Sequence, residues 1–308
     1  MANIFGLSKA HKIASNIRGF QELVIKKFSD GEIKVEIDDT VRNSTVYVIG
    51  SLRSSDDVME LMMAGDSIKR ASADKIIAII PYMAYMRQDR KDKPRTAIGA
   101  KVIANMLEIY FDQIITIDLH ATQIEGFFNI PVTHIECTNL FANYIKSNYE
   151  LENLMIVSPD VGGAKRAKKL ADRLGIPLAI INKERKMANI VDSMSLMGEV
   201  KGKNVMLFDD MVDTAGSLCN AADLLIEKGA INVYASITHG VLSGDAHTTI
   251  KNSVIKHLNV IDTINIKPND KINVITCTDI IQKTIDTMEN NQSVNKLIKK
   301  QFEKNNIS

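Results

Sequence analysis

Short aliphatic runs alternate with amphipathic stretches along most of this chain, and this alternation constrains the fold more than any other feature. The runs are rich in Ile, Val and Leu, which is typical of strands buried on both faces of a parallel sheet. The predicted strands cover residues 46–49, 76–80, 114–117, 154–157, 178–181, 205–208 and 234–238. The predicted helices between them cover residues 58–70, 98–110, 163–174 and 218–228. The pattern predicts an α/β fold with helices on both faces of mostly parallel sheets.

The chain length indicates two domains. At about 100 to 200 residues per domain, a chain of 308 residues divides naturally in two. We expect an N-terminal domain over residues 1–150 and a C-terminal domain over residues 151–288, with the seam in the polar segment 148–153. Residues 289–308 predict a last helix that packs back on the N-terminal domain.

Composition excludes several classes of partner. The 38 basic and 37 acidic residues leave a net charge of +1, so we expect neither nucleic acid nor an anionic membrane as a partner. No apolar stretch approaches the length of a membrane span. Cys137, Cys219 and Cys277 are odd in number and lack metal-ligand spacing, which favours reduced thiols in a cytoplasmic protein.

The most informative motif follows the predicted strand 205–208. Asp209 and Asp210 come directly after the strand, and Thr214, Gly216 and Ser217 then open a helix. Ligands of parallel sheets bind beyond the carboxyl ends of the strands, and a helix N-terminus favours a phosphate. The acids suit ribose hydroxyls, directly or through a metal. The motif therefore predicts a ribose-phosphate site, with an acidic turn that only caps a helix as the alternative.

A second motif is the polar loop at residues 81–96, which carries five basic residues after a buried strand. Arg87 and Gln88 lie nearest the end of that strand. Arginine can bind phosphate through two hydrogen bonds, and glutamine can recognise the edge of a base. A solvated charge run would look similar.

Two further strand ends carry acids, and one of them also carries a histidine. We expect Asp118 and His120 to share one side of a strand end, because strand side chains alternate. Asp160 precedes Gly162 and Gly163 at the start of a predicted helix. His120 is a candidate for a role with Mg²⁺, partly through water, and the Asp160 segment repeats the arrangement of an acid at a strand end. A capping histidine and a tight turn are the alternatives.

Two remaining motifs add cations and an aromatic side chain. Lys183 and Arg185 occupy alternate positions after the strand 178–181, an arrangement suited to a transferring phosphate, although an edge strand protected by lysines looks similar. The segment that begins at Phe28 and continues through Asp30, Gly31 and Glu32 is a hairpin signal on its own.

These motifs, in this order over nearly the whole chain, resemble the ribose-phosphate pyrophosphokinase family. The pattern Asp-Asp-x-x-x-Thr-x-Gly-Ser also resembles the signature of the wider phosphoribosyltransferase superfamily. The resemblance implies two phosphoribosyltransferase-like domains, usually assembled as hexamers built from dimers. It implies an Mg²⁺-dependent transfer of the β,γ-diphosphoryl group of ATP to ribose 5-phosphate, giving AMP and phosphoribosyl diphosphate.

The resemblance also assigns roles to residues at matching positions. It implies that the ATP contacts are Phe28, Asp30, Gly31, Glu32, Arg87 and Gln88. It implies that His120 and Asp160 are associated with the metal and that Lys183 and Arg185 are catalytic. The implied ribose 5-phosphate contacts are Arg185, Asp209, Asp210, Asp213, Thr214, Ala215, Gly216 and Ser217.

Three positions depart from the family pattern. Ser217 stands where Thr is common and keeps the hydroxyl, whereas Gly99 replaces a hydroxyl residue at a helix start. Asn295 replaces a Ser near the family's regulatory phosphate site, a departure that bears on control by phosphate and ADP and leaves the catalytic positions unchanged.

Three rival functions share this fold. A phosphoribosyltransferase would need only one such domain and no Arg87-Gln88 loop, and a catalytically silent subunit should have lost His120, Lys183 or Arg185. A ligand-sensing regulator would add a DNA-binding helix pair or a basic face, which the charge balance does not offer.

Overall fold

Two mostly parallel sheets organise the chain in a computed structural model that describes residues 2–184, 193–294 and 296. The strands are β1 (Asn3–Gly6), β2 (Phe20–Glu22), β3 (Val24–Lys27), β4 (Ile33–Glu36), β5 (Thr45–Ile49), β6 (Lys75–Ile80), β7 (Gln113–Ile117), β8 (Val132–Ile135), β9 (Leu154–Ser158), β10 (Leu178–Glu184), β11 (Ser193–Met197), β12 (Asn204–Val212), β13 (Asn232–Gly240), β14 (Ile255–Ile261) and β15 (Ile272–Ile275). The helices are α1 (His11–Ala14), α2 (Ser55–Arg70), α3 (Gly99–Leu107), α4 (Thr138–Asn148), α5 (Ala164–Leu174), α6 (Gly216–Glu227), α7 (Ala246–Asn252) and α8 (Thr278–Glu289).

The chain divides into two units that are discontinuous in sequence. Unit 1 contains residues 1–135, 262–265 and 276–308, and unit 2 contains residues 136–261 and 266–275. The domain limits expected from the sequence, 1–150 and 151–288, stay a prediction. The helix predicted over residues 289–308 lies mostly outside the described residues.

Unit 1 is built on a sheet with the strand order β2-β1-β5-β6-β7-β8, in which every described pair is parallel. Its largest buried side chains include Phe5, Tyr47 and Phe111. A separate antiparallel hairpin, β3 with β4, packs on α2. The first turn of α2 is fixed by a capping box, in which Ser54 and Asp57 exchange hydrogen bonds.

Unit 2 is built on a sheet with the order β11-β10-β9-β12-β13-β14-β15. Only β11 is antiparallel to its neighbour among the described pairs. The order reverses at β9, because β10 lies on one side of it and β12 on the other. Such a reversal opens a crevice at the carboxyl ends of the two central strands, where α/β proteins bind ligands.

The structure confirms the α/β class and the seven strands and four helices predicted from the sequence. The aliphatic runs became strands because both faces of each sheet are covered, so that Ile49, Ile80 and Leu207 are all fully buried. Among the described residues, no helix combines the length and the hydropathy needed to cross a bilayer.

Candidate functional site

The crevice of unit 2 contains an ion cluster formed by Arg166, Asp209 and Asp210. Asp209 and Asp210 are consecutive residues of β12, and Arg166 lies in the first turn of α5. The Arg166 Nη1 atom lies 2.8 Å from Asp210 Oδ1 and 3.2 Å from Asp209 Oδ1. The amide of Asp210 also donates to Asp209 Oδ1 at 2.9 Å. One guanidinium therefore orients both carboxylates.

Arg166 was not predicted from the sequence as a site residue. Arg166 lies in a helix after Gly162 and Gly163, and its neighbours in sequence give no indication that it pairs with Asp209 and Asp210. The available signal was its position in the first turn of the helix that follows a buried strand, where helix side chains can reach the crevice.

The carboxyl of Asp209 is held in an unusual electrostatic environment. Burial raises the pKa of Asp209 to about 8, with further contributions from the neighbouring carboxylates of Asp210 and Asp160. The charge of Arg166 opposes the rise. Three acids therefore concentrate negative potential at one point, where a cation or the hydroxyl groups of a sugar are favourable partners.

Asp160 belongs to a tight turn that brings α5 close to β12. Its Oδ1 atom accepts a hydrogen bond from Gly163 N at 2.8 Å, while Ser158 Oγ donates to its carbonyl oxygen at 2.7 Å. A Cβ atom at Gly163 would lie 3.0 Å from Ser158 Oγ and 3.3 Å from Asp209 Oδ1. Glycine is needed here because the turn approaches the acid pair closely.

The predicted phosphate turn opens a helix as expected. After β12 the chain bends at residues 213–215 and enters α6 at Gly216. Ala215 has φ 66°, in the left-handed region, which bends the chain sharply before the helix. Thr214 and Ser217 are exposed, and Asp213 accepts a hydrogen bond from Ser243 Oγ. The exposed hydroxyls lie beside the first amides of α6, an arrangement that suits an anion.

The strand before this turn is longer than predicted. It continues through both acids to Val212, because Asp209 pairs with Ile237 and Met211 with His239 of β13. Asp209 and Asp210 therefore lie within the strand and not after its end, where the sequence pattern predicted them.

In unit 1, the hairpin that carries Phe28 presents an exposed aromatic ring. Phe28 is 51% exposed although it is a large hydrophobic side chain. The amide of Phe28 donates to Glu32 O, and Asp30 Oδ1 accepts from the amide of Glu32. Gly31 has φ 99°, which an L side chain would rarely adopt. The hairpin prediction is confirmed, and the ring is available to stack on a planar ligand.

The loop after β6 places Arg87 and Gln88 on the surface of unit 1. The amide of Gln88 donates to Tyr85 O, and its carbonyl accepts from Ala100 N at the start of α3. A Cβ atom on Gly99 would lie 2.6 Å from Gln88 Oε1. The glycine at the helix start therefore makes room for the Gln88 side chain.

The segment after β7 departs from the expected extended geometry. We expected Asp118 and His120 to share a face of one strand; that expectation is wrong, because β7 ends at Ile117 and Asp118 has φ 36°. The segment then enters a 3-10 helix over Thr122–Phe127. Gln123 of this helix donates to Asp89 Oδ2 at 3.3 Å, which links it to the loop carrying Gln88.

The cation segment is described only in part. Lys183 lies in β10, where it pairs with Met194 of β11. The pairing of β10 with β9 covers Leu178 to Ile180, so at Lys183 the described pairing is with β11 and the alternative of an edge strand protected by lysines stays open. The Lys183 side chain, Arg185 and Asn295 lie outside the described residues.

The chemistry of the unit 2 acids fits Mg²⁺. Among the residues that the structure describes, no group of three or more His, Cys, Asp or Glu side chains is arranged to hold a metal ion. Mg²⁺ is commonly bound by one or two carboxylates together with water and substrate phosphates. The concentrated negative charge that raises the Asp209 pKa would be offset by such an ion.

Comparison with known proteins gives a consistent result along the chain. Residues 4–110 match the family model of the N-terminal domain of ribose phosphate pyrophosphokinase, and residues 124–280 match that of the phosphoribosyl transferase domain. A ribose-phosphate pyrophosphokinase of Fusobacterium nucleatum is 43% identical over 300 residues, covering 94% of this chain and 95% of the relative. One from Campylobacter jejuni is 45% identical over 279 residues, covering 89% of each.

A solved structure extends the similarity to the fold. The phosphoribosylpyrophosphate synthetase of Mycobacterium smegmatis aligns with a TM-score of 0.87 at 34% identity. The alignment covers 94% of this chain and 99% of that one. Similarity in sequence and in fold therefore extends over both units.

Proposed function

This chain belongs to the ribose-phosphate pyrophosphokinase family and synthesises phosphoribosyl pyrophosphate. We propose that the reaction is an Mg²⁺-dependent transfer of the β,γ-diphosphoryl group of ATP to the anomeric hydroxyl of ribose 5-phosphate. The family resemblance and the phosphoribosyltransferase-like fold predicted from the motifs are thereby confirmed. The observation that best supports the proposed site is the acid pair of β12, oriented by Arg166 at the point where the strand order reverses.

The sugar site is proposed in unit 2 because an acid pair and an anion-binding turn follow one another on β12 and at the start of α6. The carboxyl groups of Asp209 and Asp210 form hydrogen bonds with the ribose hydroxyls. The 5-phosphate lies at the turn from Asp213 to Ser217, where exposed hydroxyls and the first amides of α6 can donate to it. A sugar phosphate is the ligand that uses both the acids and the anion-binding turn.

The ATP contacts are proposed in unit 1, and the turn at Phe28 is proposed to reach into the ATP site of a neighbouring subunit. The exposed ring of Phe28 stacks on adenine, and the turn residues Asp30, Gly31 and Glu32 hold that ring in place. Gln88 recognises the base edge and Arg87 contacts phosphate. Both lie on the loop that Asp89 joins to the segment after His120.

His120 of unit 1 and Asp160 of unit 2 are each proposed as residues associated with Mg²⁺ and the substrate phosphates. When bound, the ion neutralises charge on the transferring group and helps to align it. Lys183 and Arg185 are proposed to stabilise the charge that develops on the leaving and bridging oxygens. In this step the anomeric hydroxyl oxygen bonds to the β-phosphorus and loses its proton to solvent, the bond from that phosphorus to the α,β-bridging oxygen breaks, and AMP leaves with the electron pair of that bond.

These roles need alignment and charge stabilisation and no covalent intermediate. A phosphoribosyltransferase that consumes phosphoribosyl diphosphate would use a similar sugar site, but residues 4–110 match a domain named for the pyrophosphokinase.

We also propose a homo-oligomer, with hexamers built from dimers as the expected assembly, and a cytoplasmic location. Sedimentation velocity measures the assembly directly.

The deciding experiment is product analysis. Purified protein incubated with ATP, ribose 5-phosphate and Mg²⁺ should release AMP in a one-to-one ratio with phosphoribosyl diphosphate. An Asp210→Ala variant serves as the site control and should require far more ribose 5-phosphate. Stoichiometric ADP would show single-phosphoryl transfer and contradict the proposal.

A further inference from the structure

We propose that His134 is a positioning residue that fixes residues 118–120 by accepting a hydrogen bond from the backbone of Leu119, while Glu125 fixes the tautomer of its ring. This inference rests on the proposed function, because its consequence for catalysis acts through His120. His134 is not among the residues that the family resemblance assigned to the site.

The ring of His134 joins two groups of unit 1. The amide of Leu119 lies 3.0 Å from His134 Nε2, and Glu125 Oε1 lies 2.8 Å from His134 Nδ1. The histidine side chain is only 7% exposed, whereas that of Glu125 is 42% exposed. The ring is thus buried with one nitrogen towards the backbone and the other towards a carboxylate.

The hydrogen bonds define the tautomer. A backbone N–H can only donate, so His134 Nε2 must be the unprotonated acceptor. The proton of the neutral ring is then on Nδ1, from which it donates to Glu125 Oε1. A carboxylate bound in this way selects one tautomer and one orientation of an imidazole.

The fold explains why Leu119 needs this partner. The ladder between β7 and β8 continues one residue past the strand, because Asp118 N donates to Ile135 O at 3.0 Å. The chain then leaves the extended conformation at Asp118, which has φ 36°. The next amide is that of Leu119, and the ring of His134 in β8 accepts it.

The result is a backbone held at two consecutive amides immediately before His120. Backbone in a sparsely populated conformation persists only where its surroundings hold it there. Loss of the ring acceptor would remove the hydrogen bond that holds the Leu119 amide in a partly buried environment and so loosen the turn that carries His120. His134 thereby influences catalysis without contact with a substrate.

Two substitutions of His134 distinguish the role of the Nε2 acceptor from that of the rest of the ring. In His134→Gln, the side-chain amide oxygen reaches the place of Nε2 and can still accept from Leu119. In His134→Asn, the amide reaches only the place of Nδ1, so the Leu119 amide loses its acceptor. His11→Asn is the matched control, since His11 Nε2 lies 3.3 Å from Glu22 Oε1 in a pair whose side chains are both more than half exposed.

The first readout needs neither substrate nor metal. In histidine-labelled protein, the ¹⁵N resonances of His134, assigned by their loss in His134→Gln, should show a protonated Nδ1 and an unprotonated Nε2. Hydrogen exchange of the peptide containing Leu119 should be faster in His134→Asn than in the parent and near the parent rate in His134→Gln. A protonated Nε2 in the folded parent would overturn the proposal, whatever the variants do.

The second readout is steady-state kinetics with folding checked by circular dichroism. We expect His134→Asn to lower kcat about tenfold, with His134→Gln within about threefold of the parent and His11→Asn unchanged. Parent-like exchange and kcat in His134→Asn would overturn the inference. If the parent released no AMP, the proposed function would fail, and the tautomer and exchange data would still decide the role of His134.

Discussion

Arg166 holds two adjacent acids that would otherwise repel each other. Its side chain is 20% exposed, and the Asp210 side chain is 4% exposed, so solvent screens this interaction much less than a surface pair. Removing one partner of such a buried pair leaves a charge without compensation. The loss of Arg166 should weaken ribose 5-phosphate binding, because Asp209 and Asp210 are the proposed sugar ligands.

We therefore expect Arg166→Gln to raise the KM for ribose 5-phosphate about tenfold to a hundredfold, with the KM for ATP changed much less. Lys168→Gln is the matched control on the same helix, since Lys168 forms an exposed pair with Asp172. Initial-rate kinetics with each substrate varied would measure both effects. Equal increases in the two KM values would instead assign Arg166 to general stability.

The titration of Asp209 links the same cluster to stability. Its pKa is raised to about 8 in the folded protein from an ordinary value of 3.8. Between these values the folded state keeps a proton that the unfolded state has lost. The contribution of this carboxyl to the free energy of unfolding is therefore most favourable in acid and is lost progressively as the pH rises towards 8.

We predict that Asp209→Asn, measured without Mg²⁺, gains stability relative to the parent as the pH rises from about 5 to about 8. The amide cannot ionise, so this part of the pH dependence should disappear. Urea unfolding across that range, followed by circular dichroism, measures the difference. A constant difference between the two proteins at every pH would show that the Asp209 carboxyl does not titrate as described.

At the scale of secondary-structure elements, the first residue of α3 packs against the side chain of Gln88 in the loop after β6. Gly99 is buried at the first position of α3, and a Cβ there would lie 2.6 Å from Gln88 Oε1. The sequence analysis treated Gly99 only as a weak helix start. The structure adds a steric reason for glycine, because the Gln88 side chain occupies the space.

Gly99→Ala should move Gln88 and raise the KM for ATP a few-fold, while the unfolding free energy changes by less than about 1 kcal/mol. Alanine favours the helix, which offsets part of the steric cost. Gly126→Ala is the control, because nothing lies within 4 Å of a Cβ at that glycine. Unchanged ATP kinetics in Gly99→Ala would show that Gln88 moves at no functional cost, or that it does not contact ATP.

Periodicity was sufficient to predict the elements that are buried on both faces. β6 and β12 were found because their aliphatic runs are continuous, whereas β8 contains Thr133 and His134 and was missed. Acid pairs and turn residues close in sequence were also recognisable. The Arg166 contact and the His134 ring bond join positions 43 and 15 residues apart, so only tertiary structure shows them.

At the scale of the whole molecule, the end of the chain returns to unit 1. Residues 276–308 belong to the same unit as residues 1–135, although unit 2 lies between them in sequence. The contacts within unit 1 include Arg18 with Asp286 at 2.7 Å and Tyr47 Oη with Glu289 Oε1 at 2.9 Å. Unit 1 therefore completes its core only after unit 2 has been synthesised.

Ile281 of α8 is the position that tests this dependence. Its side chain is 0% exposed, so Ile281→Ala should remove buried apolar contacts and leave a cavity, lowering the unfolding free energy by about 2 to 5 kcal/mol. Because α8 belongs to unit 1, hydrogen exchange should accelerate in β5, more than 200 residues earlier in the chain. Ile109→Ala is the control, since Ile109 is 57% exposed and should cost less than about 0.5 kcal/mol. Parent-like exchange in β5 of a destabilised Ile281→Ala protein would mean that α8 unfolds separately from the sheet of unit 1.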